Sequence, residues 1–245
     1  MKIKFNTSKI LVVTVVTAGI AFMVSSCHKD ASTTSTNATV TEADAVQLTT
    51  DAVSPSTGGM ILQLNGSVNT YATVSFSCGV QKDSSYVIAS STGASPSYNY
   101  SFQWNDMLTC NGTVPSQLTF NFTGTGSYNG SLMSSSDNST GGFVLTGLGV
   151  NASQYLFNTT YSRTGTTTSK VLRQLTFHSV ITIAGTDIAV DKTTKIIASG
   201  TAAVSIAATS TSGSTFTFNG KITFLGNKKA NLVLNSGATY VIQWN

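Results

Sequence analysis

Beyond Gly59 the chain alternates apolar and polar side chains with a period of two. Tyr98, Tyr100, Phe102 and Trp104 alternate with Asn99, Ser101, Gln103 and Asn105, and Leu118, Phe120 and Phe122 with Thr119, Asn121 and Thr123. Tyr155, Phe157 and Tyr161 continue the pattern, then Phe177, Ile181 and Ile183, Phe216 to Phe224, and Tyr240, Ile242 and Trp244. Such alternation predicts strands with one buried and one wet face. Turn signals fall at Asn111-Gly112, Ser136-Asp137-Asn138, Gly165, Asp191-Lys192-Thr193, Ser212-Gly213, Gly226-Asn227 and Ser236-Gly237. Several of these links are too short for a parallel crossover. The expectation is an all-β domain over 60–245, an antiparallel β-meander of about 12–14 strands, curled into a barrel-like form or split into a sandwich. Gly200 and Gly220 fall inside strands, where bulges are expected.

The segment before Gly59 follows another period. Thr41-Glu42-Ala43-Asp44 resembles a capping box, and Ala45, Leu48, Thr49 and Ala52 then recur at helical spacing. Ser54-Pro55 and Gly58-Gly59 stop the run. One short N-terminal helix at 41–53, with its turn reaching 59, is predicted to pack against an end or edge of the sheet.

Three lysines, Lys2, Lys4 and Lys9, precede an uncharged apolar run from Ile10 to Val24. That run suits the apolar part of a signal peptide and is short for a membrane-spanning helix, which needs about 20 residues. Val24-Ser25-Ser26-Cys27 resembles a bacterial lipobox, so residues 1–26 are predicted to be cut away and Cys27 to carry lipid. Residues 27–40 read as a Ser/Thr-rich tether. The predicted location is the outer membrane, on its periplasmic or cell-surface side, with the membrane reached through the lipid on Cys27.

That cut changes the meaning of the charge. The chain carries a net +4, from thirteen Lys and Arg against nine Asp and Glu. Removing the three leader lysines leaves ten against nine, and the remaining basic residues are scattered. A phosphate backbone calls for a concentrated basic patch, so nucleic acid is not the predicted partner. Charged residues make up only 9% of the chain while apolar residues reach 40%, so the surface polarity must come from Ser, Thr, Asn and Gly. A transmembrane barrel is disfavoured, since the lipid would be redundant and long loops on one side are absent.

With Cys27 lipidated, Cys78 and Cys110 remain, an even pair in an oxidising compartment. Ala72, Val74, Phe76 and Cys78 would share one strand face, and Tyr100, Phe102, Trp104, Leu108 and Cys110 another, unless Asp106 marks a bulge. A Cys78–Cys110 disulfide is predicted, the alternative being two free buried thiols.

Little else points to chemistry. The chain has two histidines. His28 sits beside the lipidated cysteine, and His178 has the parity of the polar Thr176 and Thr182. A hydrolase would have to be built on His178, without the usual glycine-flanked serine elbow. Asp187 and Asp191 lie about 13 Å apart on an extended strand, beyond the reach of a glycosidase pair, and Asp191 is better placed to open a turn. Asp137 and Asp187 lack calcium-loop spacing. No cofactor or metal site is predicted. Tyr98, Tyr100 and Trp104 are the candidate ligand-binding residues, because sugar C–H faces pack on aromatic rings; the same rings at period two would equally fill a core. Trp244 reads as core or rim.

Several phrases resemble uncharacterised cell-envelope lipoproteins of Bacteroidota: the helix into Ser54-Pro55 and Gly58-Gly59, Cys78-Gly79 with Cys110-Asn111, and Tyr161-Ser162-Arg163-Thr164-Gly165. Asp191-Lys192-Thr193-Thr194 and Tyr240-Val241-Ile242-Gln243-Trp244 fit as well. The resemblance implies an envelope location and an all-β fold, and it implies no catalytic residues. The expectation is therefore a non-enzymatic binding or structural module, its partner a glycan or an envelope protein, with a glycan- or small-ligand-binding β domain as the alternative and a hydrolase using His178 behind both.

Overall fold

The capping box forms as written. In a computed structural model, which describes residues 40–170 and 175–244, the Thr41 hydroxyl accepts from Asp44 N at 3.3 Å and the Asp44 carboxylate accepts from Thr41 N at 2.9 Å. Helix α1 runs Glu42–Val53 and stops at Ser54-Pro55. A single 3-10 turn, Pro55–Thr57, leads to Gly58 in the left-handed region (φ 69°). A Cβ on Gly58 would lie 2.8 Å from the Tyr100 ring, so both the turn and the close approach call for glycine. The signal segment, the tether and Cys27 lie outside the described residues, which all fall within one compact unit, Asn37–Asn245.

A second helix, α2 (Met60–Thr73), occupies a stretch expected to be strand. Met60, Ile61, Leu64 and Val68 recur at helical spacing, but Gln63 and Ser67 share their buried face and interrupt the apolar stripe. Gly66 lets the helix approach the sheet, for a Cβ there would meet the Trp104 ring at 3.0 Å.

Ten strands follow: β1 (Gln81–Ala89), β2 (Ser97–Asn111), β3 (Val114–Asn129), β4 (Met133–Thr146), β5 (Gln154–Ser169), β6 (Thr176–Asp191), β7 (Ile197–Ser210), β8 (Thr215–Gly226), β9 (Lys229–Leu234) and β10 (Thr239–Gln243). Each pairs with its sequence neighbour, antiparallel throughout, in the order β1 to β10. The first and last strands do not pair, so the sheet is an open meander and not a closed barrel. The strands are fewer and longer than the turn signals suggest. Ser136-Asp137-Asn138 lies within β4 and Gly165 within β5, where Asp137 and Gly165 are direct cross-strand partners. A Cβ on Gly165 would stand 2.6 Å from the Asp137 Cβ and 2.3 Å from Ser136 O. The glycine makes room for its neighbour and turns nothing. The turns at 112, 192–194, 213, 227 and 237 do separate strands. A bulge falls beside Gly200 but on the neighbouring strand: Asp187 (φ 50°) and Ile188 of β6 oppose the single Gly200, which pairs regularly with Phe224 of β8. Gly220 sits in regular register with Val204 and Leu234 and forms no bulge.

The inward side chains of the sheet share one core with the two helices. Leu118, Phe120, Phe143, Leu145 and Phe157 are fully buried, as are Ile188, Ile222 and Leu232 further along the meander. Toward the other ends of the central strands the inward positions turn polar: Ser135, Asp137, Ser139, Arg163, Thr167, Ser169, Ser179 and Ser210. The outward positions of β2 to β7 are chiefly Ser, Thr, Asn and Gln, where a lipid-facing barrel needs an apolar band. No helix among the described residues is long and apolar enough to cross a membrane.

Cys78 and Cys110 form a disulfide with Cα atoms 5.6 Å apart. The expected strand over 72–78 is absent: Ala72 ends in α2, and residues 74–80 cross irregularly to the end of β2, where Gly79 N donates to Leu108 O. The register shift in β2 falls between Thr109 and Cys110, while Asp106 stays in regular register and is buried.

Candidate functional site

Arg163 projects from β5 into the core and is 4% exposed. Its guanidinium makes a 2.6 Å ion pair with Asp137 of β4. It also donates to Asp51 O (3.1 Å), Thr57 O (3.0 Å) and the Tyr100 hydroxyl (2.8 Å). Its carbon centre lies 5.0 Å from the Tyr128 ring centroid and 5.8 Å from that of Tyr100. One side chain thus ties the end of α1 and the 3-10 turn to three strands. Burial alone would lower the basicity of Arg163, but the Asp137 carboxylate paired with it outweighs that and holds the group charged.

Asp51 ends the polar chain. Its carboxyl accepts from Gln47 Nε2 at 3.0 Å and from the Tyr128 hydroxyl. Burial pushes its pKa up to about 6, against the pull of Tyr128, Arg163 and Gln47. Tyr128 and Tyr100 are raised well above the ordinary phenol value, mainly by burial, and Tyr161 is pushed up to about 12. These tyrosines therefore stay protonated; Tyr128 donates to Asp51, and the Tyr100 hydroxyl accepts from Arg163.

A pocket of about 410 Å³ opens over this cluster. Its floor holds Asp51 and Tyr128, and hydroxyls of Ser54, Ser56, Ser95 and Ser131 line it. Gln47 and Gln243 add amides, while Pro96, Met133 and Trp244 supply apolar wall. Among the described residues, Asp51 is its one side-chain carboxyl and no Lys, Arg or His lines it. Lys170 stands near the rim, where its ammonium is taken by Gly130 O and by the Asn129 side chain. The volume is within the range of small-ligand sites, about 300–1,000 Å³. The arrangement can accept hydrogen bonds or a positive charge from a small polar molecule.

Of the residues singled out from sequence, Tyr100 and Asp137 belong to the buried cluster and Trp244 walls the pocket, while Trp104, His178 and Asp191 lie elsewhere. Tyr100 is 1% exposed and stacked on Phe102 at 5.8 Å, and Tyr98 is half-buried beside it. Trp104 lies under α2, donating its Nε1 proton to Gln63 Oε1 at 2.9 Å, with the Tyr86 ring stacked 5.3 Å away. The row is spent on packing, and its rings form no open platform. Trp244 is buried edge-on to Phe224 and also walls the pocket. His178 is exposed on the outer face between Thr166 and Thr209, with no hydrogen-bond or ion-pair partner among the described residues. Asp191 caps its turn, accepting from Thr193 N and Thr194 N, which lowers its pKa. Asp137 is committed to Arg163, and no group of three His, Cys, Asp or Glu able to hold a metal occurs among the described residues.

Asp51, Tyr128 and Arg163 were not singled out as site residues in the sequence, and Asp137 was weighed only as a turn residue and calcium ligand. A signal was present, since Arg163 has the inward parity of Tyr155, Phe157 and Tyr161, and Asp137 that of Phe143 and Leu145. A charge on an apolar parity marks a buried pair.

No family model, no curated protein and no solved structure matches this chain.

Proposed function

We propose that this chain is an exported envelope lipoprotein, held at the outer membrane through lipid on Cys27, whose β-domain binds a small polar ligand without transforming it. The reading carries forward the lipobox, the tether and the likeness to Bacteroidota lipoproteins. The observation that supports the binding role is the pocket over Asp51, walled by hydroxyls and amides with Trp244 at its side. Such walls suit a polyhydroxylated molecule such as a sugar, because each ligand hydroxyl finds a partner and the ring faces find apolar wall.

Two experiments test it. Metabolic labelling with an alkyne fatty acid should mark the wild-type chain and not Cys27→Ala; label persisting on that variant would remove the anchor. Ligand-detected NMR against a panel of mono- and disaccharides should find binders that quench tryptophan fluorescence in the wild type and lose that quench in Trp244→Phe. A panel with no binder, or with binders indifferent to Trp244, would remove the pocket as the functional site.

A further inference from the structure

The buried cluster holds two carboxylates and one guanidinium. Arg163 is paired directly with Asp137 at 2.6 Å, and toward Asp51 it reaches only the backbone carbonyl. Asp51 has hydrogen-bond donors in Gln47 and Tyr128 but no ion-pair partner among the described residues, although it is 8% exposed. With Asp51 ionised the cluster carries one surplus negative charge, and Asp51 lines the larger pocket described above. A buried carboxylate in that position must take up a proton or a counter-cation.

We infer that the ligand of this pocket presents a protonated amine to the Asp51 carboxylate, its remaining polar groups being taken by the surrounding hydroxyls and amides. The inference rests on the binding role proposed above and names the chemistry of the ligand. Three observations favour an amine over other occupants. Among the described residues no cationic side chain lines the pocket, so an anionic ligand would meet the surplus negative charge there. A divalent metal would want several hard oxygen ligands, and Asp51 is the one side-chain carboxyl there among the described residues. A wholly neutral ligand would leave the charge uncompensated, whereas an ammonium brings three donors and the missing positive charge.

The charged and titratable groups facing Asp51 are few. Asp137 and Arg163 face it from β4 and β5, Tyr128 and Tyr100 from β3 and β2, and Lys170 stands near the rim. The tyrosines stay protonated and Arg163 stays charged near neutral pH. Asp51, pushed up to about 6 by burial, is the group whose state changes there. Below that pH the carboxyl is neutral and the attraction for an ammonium is lost.

The test uses the full chain with a matched pair, glucose and 6-amino-6-deoxyglucose, by calorimetry and NMR at about pH 7.5 and about pH 5. The amino sugar should bind at least about tenfold more tightly at the higher pH. That preference should shrink to within about twofold at the lower pH and in Asp51→Asn. If Asp51→Asn does not fold, the wild-type pH series still decides. Equal binding of both sugars, with Trp244 perturbed by each, overturns the amine while the binding pocket stands. Preferential binding of Ca²⁺ at Asp51, displacing the amino sugar, overturns it in favour of a metal. Failure of both sugars to bind at about 10 mM overturns the inference and the pocket assignment together.

Discussion

Replacing Arg163 with methionine removes the one buried cation from the junction of helix and sheet. The substitution keeps much of the volume but strips the Asp137 carboxylate of its ion-pair partner and takes a donor from the Thr57 carbonyl and the Tyr100 hydroxyl, while the Asp51 carbonyl keeps the Thr57 hydroxyl. Breaking a buried ion pair from one side costs about 3–5 kcal/mol, because an uncompensated charge stays behind. Against a typical total of about 5–15 kcal/mol, that is a large share of the fold's stability. Asp137→Leu alone should cost a similar amount for the mirror-image reason. The double variant removes both charges, so it should cost at least about 2 kcal/mol less than the two singles summed. It should not return to wild type, since the Thr57 carbonyl loses the Arg163 donor at a cost of about 1–3 kcal/mol. Urea unfolding followed by circular dichroism and tryptophan fluorescence gives all four corners of the cycle. A single-variant cost below about 1 kcal/mol, or strict additivity of the two, would refute the reasoning that this pair is buried and coupled.

Stability should also depend on pH. Asp51 and Asp106 both have folded pKa values raised to about 6 by burial, above an ordinary value of 3.8. Between those values the folded state holds protons that the unfolded chain has released, so stability falls as pH rises from about 4 to about 6 and is flat above. For Asp51 the full drop is on the order of 3 kcal/mol, and Asp51→Asn should flatten that part of a melting-temperature profile; a midpoint climbing across the window contradicts the assignment. Gly165→Ala forces a methyl to within 2.6 Å of the Asp137 Cβ and should cost about 1–3 kcal/mol in urea titrations. Cys78→Ala with Cys110→Ala opens a loop of sequence separation 32 and should lower stability by about 3–4 kcal/mol on the chain-entropy account. Intact mass of the unreduced chain should show no alkylatable thiol at either position.

The alternation of Tyr98 to Trp104 and Leu118 to Phe122 was enough to read antiparallel strands, and Thr41 with Asp44 was enough to start a helix. What the pattern hid was length. Ser136-Asp137-Asn138 and Gly165 have the composition of turns, yet they lie in mid-strand, where the inward Asp137 on one strand needs glycine opposite it on the next. Gly126 is the same case, its missing Cβ leaving space for Tyr100, which lies opposite it on β2. The second helix escaped because Gln63 and Ser67 are buried on the face that should read as apolar. Gln63 earns that place by accepting from Trp104, a contact between residues 41 apart in sequence.

The site was less legible than the fold, and one register row explains why. Tyr100, Gly126, Asp137, Gly165, Ser179 and Ala208 lie side by side across β2 to β7. The adjacent row runs Phe102, Gly124, Ser139, Arg163, Ile181 and Ile206. Each strand taken singly shows a small or polar residue at an inward position, which a strand can tolerate and which draws no notice. Only pairing stacks them into a hollow in which Arg163 and the end of α1 meet. The hollow in turn takes Asp51 out of water, and without that burial its carboxyl would titrate like any surface aspartate. The chemistry of the pocket is thus a property of the register between strands, and a shift of one residue would point Arg163 outward and dissolve it.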